Sequence, residues 1–246
     1  MGLGLAQILT FRSGGQVVIT NSLMLPWNSS LHVCLWDLDG TLINSYPAIT
    51  ASVNHVRAHF ALEPMTVDAV RYCVGHGVNH LMTKTAPGCD LAIAKEVYAE
   101  HHQRTLTSGT VLLPGAADIL RQLKVLGVRH AVCSNKPRGF SEQLLDYLGL
   151  ANSVDVLLGP EDVKAPKPAP DMLLLGLDRL GATPDIALFV GDMAVDIQAA
   201  RGAGLKVAVV ATGSDSEENL KSANPDLLAS GLPELGQILG LKRLAG

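Results

Sequence analysis

The chain has little cysteine, four residues in 246, at positions 34, 73, 89 and 133. Their separations of 39, 16 and 44 residues form no CxxC pair and no metal-finger spacing, which excludes a disulfide-built scaffold and a zinc ribbon. Cys34 and Cys133 fall inside apolar runs, where a free thiol acts as a small hydrophobe, and a reducing compartment suits the set. Basic residues are not in excess: 19 Lys and Arg against 23 Asp and Glu leave a net charge of −4, so no broad cationic surface is available for a nucleic acid backbone. No run of 18 apolar residues exists to span a bilayer. The GxxxxGK[ST] pattern is absent, which argues against a Walker-type ATPase or kinase.

The first 30 residues carry one charge, Arg12, and have neither a basic start nor a long apolar run ending in a cleavage site, so they do not read as a signal peptide. Ala6 stands where a myristoylation signal needs Ser or Thr. This stretch reads as a loosely ordered N-terminal extension, with Met24 as an alternative start, and the cytoplasm is the default location.

What the chain does have is 48% hydrophobic residues with 17% charged, enough to bury a substantial core. From Leu31 short apolar runs alternate with helical patterns, as parallel strands joined by crossover helices require. The expected strands are 31–36, 128–133, 154–158, 186–190 and 205–210. Helices are expected after Pro114-Gly115, where Ile119, Leu120, Leu123 and Leu126 share a face, over 141–148, from about Pro170, and from Ala194 to Gly202. The first crossover is too long, since 91 residues separate Trp36 from Val128. Ile49, Val53, Val56 and Phe60 follow helical spacing there, so a small helical domain is expected over 46–110, inserted into an α/β domain made of 31–45 and 111–246.

In an open parallel sheet, ligands bind beyond the carboxyl ends of the strands. Three of the expected strands, the first, second and fourth, end in polar residues: Asp37-Leu38-Asp39-Gly40-Thr41, Ser134-Asn135-Lys136, and Gly191-Asp192 leading to Asp196. Helix capping needs one such residue per helix, not two carboxylates two positions apart. Asp37 and Asp39 would repel each other unless a cation or hydrogen-bond donors compensate, and a hard divalent ion such as Mg²⁺ fits, with Asp37 and Asp192 as its anchors. Lys167, in a proline-rich stretch ahead of a helix, is the candidate for the remaining positive charge. A carboxylate nucleophile, a metal, a lysine and hydroxyl donors are the parts of phosphoryl transfer through an aspartyl-phosphate.

Asp37–Leu42 (DLDGTL), Ser134-Asn135, Lys167-Pro168 and Gly191–Asp196 (GDMAVD) resemble motifs I to IV of the haloacid dehalogenase superfamily, in order and over about 31–240. The resemblance implies a doubly wound, mostly parallel Rossmann-like sheet with residues 46–110 as a helical C1 cap. Val74–Val78, Leu113-Pro114-Gly115 and Ser134–Pro137 are similar to the phosphoglycolate phosphatase subgroup. Carried over by position, Asp37 is the nucleophile and Asp39 the acid and base, a residue that dehalogenases of this superfamily lack. Thr41, Ser134 and Asn135 hold the phosphoryl oxygens, and Lys167 offsets charge. Mg²⁺ binds the Asp37 carboxylate, the Asp39 backbone carbonyl and Asp192, while Asp196 orients Lys167 or metal-bound water. Gly75, His76 and Gly77 are candidates to touch substrate at the cap boundary.

The implied activity is Mg²⁺-dependent hydrolysis of a small phosphorylated metabolite such as 2-phosphoglycolate, without a nucleic acid or membrane partner. Pyrophosphatase, nucleotidase and sugar-phosphate mutase activities share the same motifs. A non-catalytic phosphate-binding module is disfavoured because Asp37, Asp39, Lys167 and Asp192 are all present. Met193 and His76 depart from the family pattern, where Ser and Asn are frequent. The His101-His102 pair reads as a solvated helix face, and His76 and His80 without further ligands are not a zinc site.

Overall fold

The structure is a computed structural model that describes residues 8–13, 16–21, 23–24 and 30–244. The extension contains β1 (Ile8–Ser13), β2 (Gln16–Asn21) and β3 (Leu23–Met24), with the rest of residues 1–29 outside the described residues. β1 and β2 pair antiparallel, with Phe11 opposite Val18, so this part departs from the loose chain expected. The physical reason is two β-prone runs, ILTF and QVVIT, each able to serve as one strand of the pair.

β4 (Ser30–Leu31) leads into β5 (Val33–Trp36) and then β6 (Ile43–Asn44). Four helices follow: α1 (Tyr46–His59), α2 (Val67–Arg71), α3 (Val78–Thr85) and α4 (Leu91–Thr105). The chain returns through β7 (Val111–Leu112) to α5 (Ala116–Val125), β8 (Arg129–Cys133), α6 (Arg138–Tyr147) and β9 (Val156–Leu158). It finishes with α7 (Asp171–Arg179), β10 (Ala187–Gly191), α8 (Ala194–Gly202), β11 (Lys206–Val210), α9 (Glu217–Ser222), β12 (Leu227–Ala229) and α10 (Leu232–Ile238). None of the helices among the described residues is long and apolar enough to cross a membrane.

β12, β11, β10, β5, β8 and β9 form one sheet in that order, with every neighbouring pair parallel. The five strands expected from sequence are present within one to three residues, and β12 is a sixth. Val33 and Leu35 face one hydrophobic cluster with α7 and α8, while Cys34 and Trp36 face the other with α5, α6 and α10. Burial on both faces explains the unbroken apolar run in β5. The chain moves outward from β5 to β8 and β9, then returns to β10 on the other side. Strand order therefore reverses between β5 and β10, where an open parallel sheet offers its crevice.

The helical insert has its own cluster, in which Ile49, Val53 and Val56 of α1 pack with Leu81, Met82 and Tyr98. Its two crossings pair with each other: Ile43 lies opposite Leu112 and Asn44 opposite Val111. His102 corrects the solvated-face expectation. It is fully buried, stacks on Tyr98 with ring centroids 5.0 Å apart, and sits edge-on to Phe140 of α6. Tyr98 and His102 are one helical turn apart on the α4 face that covers α1, and Ser52 Oγ lies 3.0 Å from the His102 Nδ1.

His130 on β8 is locked neutral by its two neighbours. The Trp36 indole N–H, a pure donor, points at Nδ1 at 3.0 Å, and the Leu120 carbonyl, a pure acceptor, lies 3.2 Å from Nε2. A proton on Nδ1 would set two donors against each other, and burial already lowers the imidazole pKa to about 4. The unfolded chain binds that proton at about pH 6.5, so the folded state loses stability as pH falls from there towards 4. At pH 5 the loss from His130 is about 2 kcal/mol. Urea unfolding at pH 7 and pH 5 checks this: His130→Gln should flatten the decline by that amount, and an unchanged pH slope would refute it.

Candidate active site

The crevice between β5 and β10 is where the sequence collects acids. The Asp37 N–H donates to the Val190 carbonyl at 2.8 Å, which ties the end of β5 to the end of β10 and brings Asp37 beside the loop that starts at Gly191. Carboxylate oxygens of Asp37, Asp192 and Asp196 all lie within 4.8 Å of one another, and all three residues are buried. Lys167 Nζ reaches this group at 2.9 Å from Asp37 Oδ1 and 2.7 Å from Asp196 Oδ1.

Each acid has a different set of partners. Asp196, in the first turn of α8, accepts the backbone N–H groups of Asp192 and Met193 on Oδ2 and Lys167 on Oδ1. Asp192 accepts the Thr41 hydroxyl at 3.0 Å and the Ser214 N–H at 2.9 Å. Asp37 Oδ1 is buried and meets the Lys167 ammonium at 2.9 Å, within hydrogen-bond distance. Burial raises the Asp37 carboxyl to about 6, opposed by Lys167 and assisted by Asp196. Burial, then the Asp196 and Asp37 charges, raises Asp192 well above the ordinary carboxylate range. For Lys167 burial works the other way, and the Asp196 and Asp37 charges outweigh it to hold the ammonium above its ordinary value.

Glycine lets these loops approach so closely. Gly40 adopts φ +83°, and a Cβ there would lie 2.4 Å from Tyr46 Oη and 2.7 Å from Asp192 Oδ2. A Cβ on Gly213 would lie 1.6 Å from the same Asp192 oxygen.

Asp39 stands apart from the cluster. It accepts the Ser45 hydroxyl at 2.5 Å, and Lys136 Nζ sits 3.2 Å from each of its carboxylate oxygens. Ser134 is buried on the same wall, with Oγ accepting the Lys136 N–H at 3.4 Å. Above lies a cleft of about 470 Å³ including its open mouth, lined on the sheet side by Asp37, Asp39, Ser134, Asn135 and Lys136. Ile49, Val74, Val78, Leu81 and Tyr98 of the helical insert close it from the other side, with Phe140 of α6.

Two expected phosphoryl donors have other partners. The Thr41 hydroxyl is buried and directed at Asp192. The Asn135 amide donates to the Gly75 and Lys167 carbonyls at 2.9 and 2.8 Å and accepts the Lys167 N–H at 3.0 Å, so all of it serves backbone groups. Gly75 and Gly77 line the cleft, whereas His76 turns to a neighbouring groove with Lys95, Pro160 and Glu161 and packs 4.6 Å from the His80 ring. Met193 is buried against Gly75, where a Cβ would meet its sulfur at 2.1 Å, so this departure from the motif serves packing between α8's loop and the insert. Sequence reasoning assigned no role to Lys136 or Ser214. Lys136 directly follows the Ser134-Asn135 motif, and Gly213-Ser214 follows β11 at the same sheet edge, so the strand-end rule reaches both.

The charge in the cluster tests whether a divalent metal fits. Three carboxylates and one ammonium leave two negative charges in a buried space. A small dication held by Asp37 and Asp192 would balance that excess, with both Asp196 oxygens already occupied. If so, Mg²⁺ at a hundredfold excess over Kd should stabilise the fold by about 2.7 kcal/mol, a Tm rise of about 5–10 °C at this size. Asp192→Asn should melt higher than the parent without metal and show no rise with Mg²⁺. Thermal melts with and without chelator decide it, and an equal rise in both proteins would refute the site.

The model of the haloacid dehalogenase-like hydrolase family matches residues 34–210. A Pseudomonas putida phosphoglycolate phosphatase is 34% identical over 214 residues, covering 82% of this chain and 77% of that protein. An Escherichia coli phosphoglycolate phosphatase is 31% identical over 230 residues, covering 84% and 91%. Among solved structures, a predicted phosphoglycolate phosphatase from Haemophilus somnus superposes with a TM-score of 0.80 at 25% identity, over 85% of this chain and 97% of that one.

Proposed function

The chain belongs to the haloacid dehalogenase-like hydrolases, and from that premise we propose that it is a Mg²⁺-dependent phosphatase that hydrolyses 2-phosphoglycolate through an aspartyl-phosphate on Asp37. That the enzyme is a phosphoric monoester hydrolase follows from its family and its relatives. The observation that carries the mechanism is the buried Asp37 carboxylate at the β5–β10 switch, paired with Lys167 at 2.9 Å and within 4.8 Å of the Asp192 carboxylate.

An Asp37 oxygen attacks phosphorus in line, and the bond from phosphorus to the ester oxygen breaks. Asp39 lines the same cleft and protonates that departing oxygen. In the second half, Asp39 removes a proton from water as the water attacks phosphorus, and Asp37 leaves as a free carboxylate together with inorganic phosphate. Lys167 keeps Asp37 ionised and faces the developing charge, and the Ser134 hydroxyl donates to a non-bridging oxygen. The Asp37 and Asp192 carboxylates and the Asp39 backbone carbonyl would hold a Mg²⁺ ion, which would supply charge neutralisation when bound. Thr41 and Asp196 act through others, fixing Asp192 and Lys167 respectively. The helices over 46–110 form a cap that closes the cleft and excludes bulk water.

Phosphate release from a panel of 2-phosphoglycolate, pyrophosphate and nucleoside monophosphates tests the reading. The parent should favour 2-phosphoglycolate and lose activity with chelator. Asp37→Asn should fall at least about a thousandfold and Asp39→Asn about 10²–10⁴-fold. Retained turnover by Asp37→Asn would remove the covalent mechanism.

A further inference from the structure

We propose that Lys136 is the specificity-determining residue of this cleft, binding a carboxylate on the carbon next to the ester oxygen of the substrate. The inference rests on the phosphatase reading above and adds a role for a residue that the reaction itself does not need.

Lys136 is the one cation among the described residues lining the cleft. Lys167 is committed elsewhere, with Nζ between Asp37 and Asp196. The Lys136 side chain is 4% exposed, so its charge acts in a dry site where it is weakly screened. An ammonium has three N–H donors, and two are accounted for by the two oxygens of Asp39, each 3.2 Å from Nζ. Among the described residues both hydrogen bonds of Nζ go to Asp39, and a bound substrate would bring a further acceptor.

The cap-side walls of the cleft are mostly apolar, with Ile49, Val74, Val78 and Leu81 joined by Phe140 of α6, and Tyr98 brings a phenol but no charge. They would penalise a second anion left without a cation. Among the described residues lining the cleft, Lys136 is the one that can neutralise an anionic leaving group.

Distance limits how far that anion can sit from phosphorus. Asp39 must come within about 3.2 Å of the ester oxygen to protonate it. Lys136 lies 3.2 Å beyond Asp39, so Nζ is at most about 6.4 Å from the ester oxygen. With about 2.8 Å to its own acceptor, Nζ has a carboxylate on the ester-bearing carbon within reach.

The test compares 2-phosphoglycolate with ethyl phosphate, whose leaving group has the same two carbons and no charge. The parent should prefer 2-phosphoglycolate in kcat/KM by about ten- to a hundredfold, the worth of one charge-assisted hydrogen bond. Lys136→Met should bring the two substrates to within about threefold, with the loss falling on 2-phosphoglycolate, and Lys136→Arg should keep most of the preference. The ratio cancels any general damage through Asp39, because that would slow both substrates alike. Equal losses on both substrates in Lys136→Met, or no preference in the parent, overturn the inference and leave the phosphatase reading standing. Hydrolysis of neither substrate by the parent removes the reading itself. Should Lys136→Met fail to fold, competitive inhibition of the parent by glycolate but not by ethanol supports the proposal, and equal indifference to both overturns it.

Discussion

Crowding of negative charge at one sheet edge is the constraint from which the rest of this site follows. Three buried carboxylates within 4.8 Å would be strongly unfavourable in a low-dielectric interior unless donors or cations face them. The fold supplies those donors from fixed backbone. The loop between β10 and α8 gives the Asp192 and Met193 N–H groups to Asp196, and the loop after β11 gives one to Asp192. Each comes from a loop that could not approach if a Cβ were present at Gly40, Gly191 or Gly213. Lys167 is then placed between the acids that still lack neutralisation. What is left over, on Asp37 and Asp192, is the excess that a divalent cation and an incoming phosphoryl group would complement.

The same logic explains why the helical insert touches the site through so few atoms. Asn135 joins the Lys167 backbone to the Gly75 carbonyl, and Met193 lies over Gly75. One three-residue turn of the insert is thereby registered against both the lysine loop and the loop that carries Asp192. The strand pair formed by β6 and β7 holds the base of the insert in fixed register. Under the proposed reaction, a cap seated in this way carries its apolar wall to the leaving-group side while leaving the phosphoryl side to groups on the sheet.

Much of this was legible in the sequence because the sheet rule is strict. Apolar runs of four to six residues followed directly by Asp, Ser or Asn specify strands whose polar ends share an edge, and the structure places Asp37, Ser134 and Asp192 there. β12 was harder to see because Leu227–Ala229 is three residues long and two of them are only partly buried. The partners of Thr41 and Asn135 were not legible, since a hydroxyl or amide at a strand end looks the same whether it faces a ligand or a neighbouring loop. Helix polarity misled at His102: a histidine pair looks solvated, but here one ring fills the space between Tyr98 and Phe140. Pairings such as Lys136 with Asp39, 97 positions apart, depend on how β5 and β8 are registered, which periodicity does not encode.

The two buried lysines show how placement assigns different work to the same side chain. Lys167 faces two carboxylates, Asp37 and Asp196, and its charge favours their ionised forms. Lys136 faces one carboxylate, Asp39, through both of its oxygens. Exchanging their surroundings would exchange their roles: a second acid near Lys136 would silence its remaining donor, and the removal of Asp196 would leave Lys167 with capacity beyond the nucleophile. Under the proposed reaction the sheet edge would separate two tasks, with the phosphoryl group answered by Lys167 and the leaving group by Lys136, one strand away.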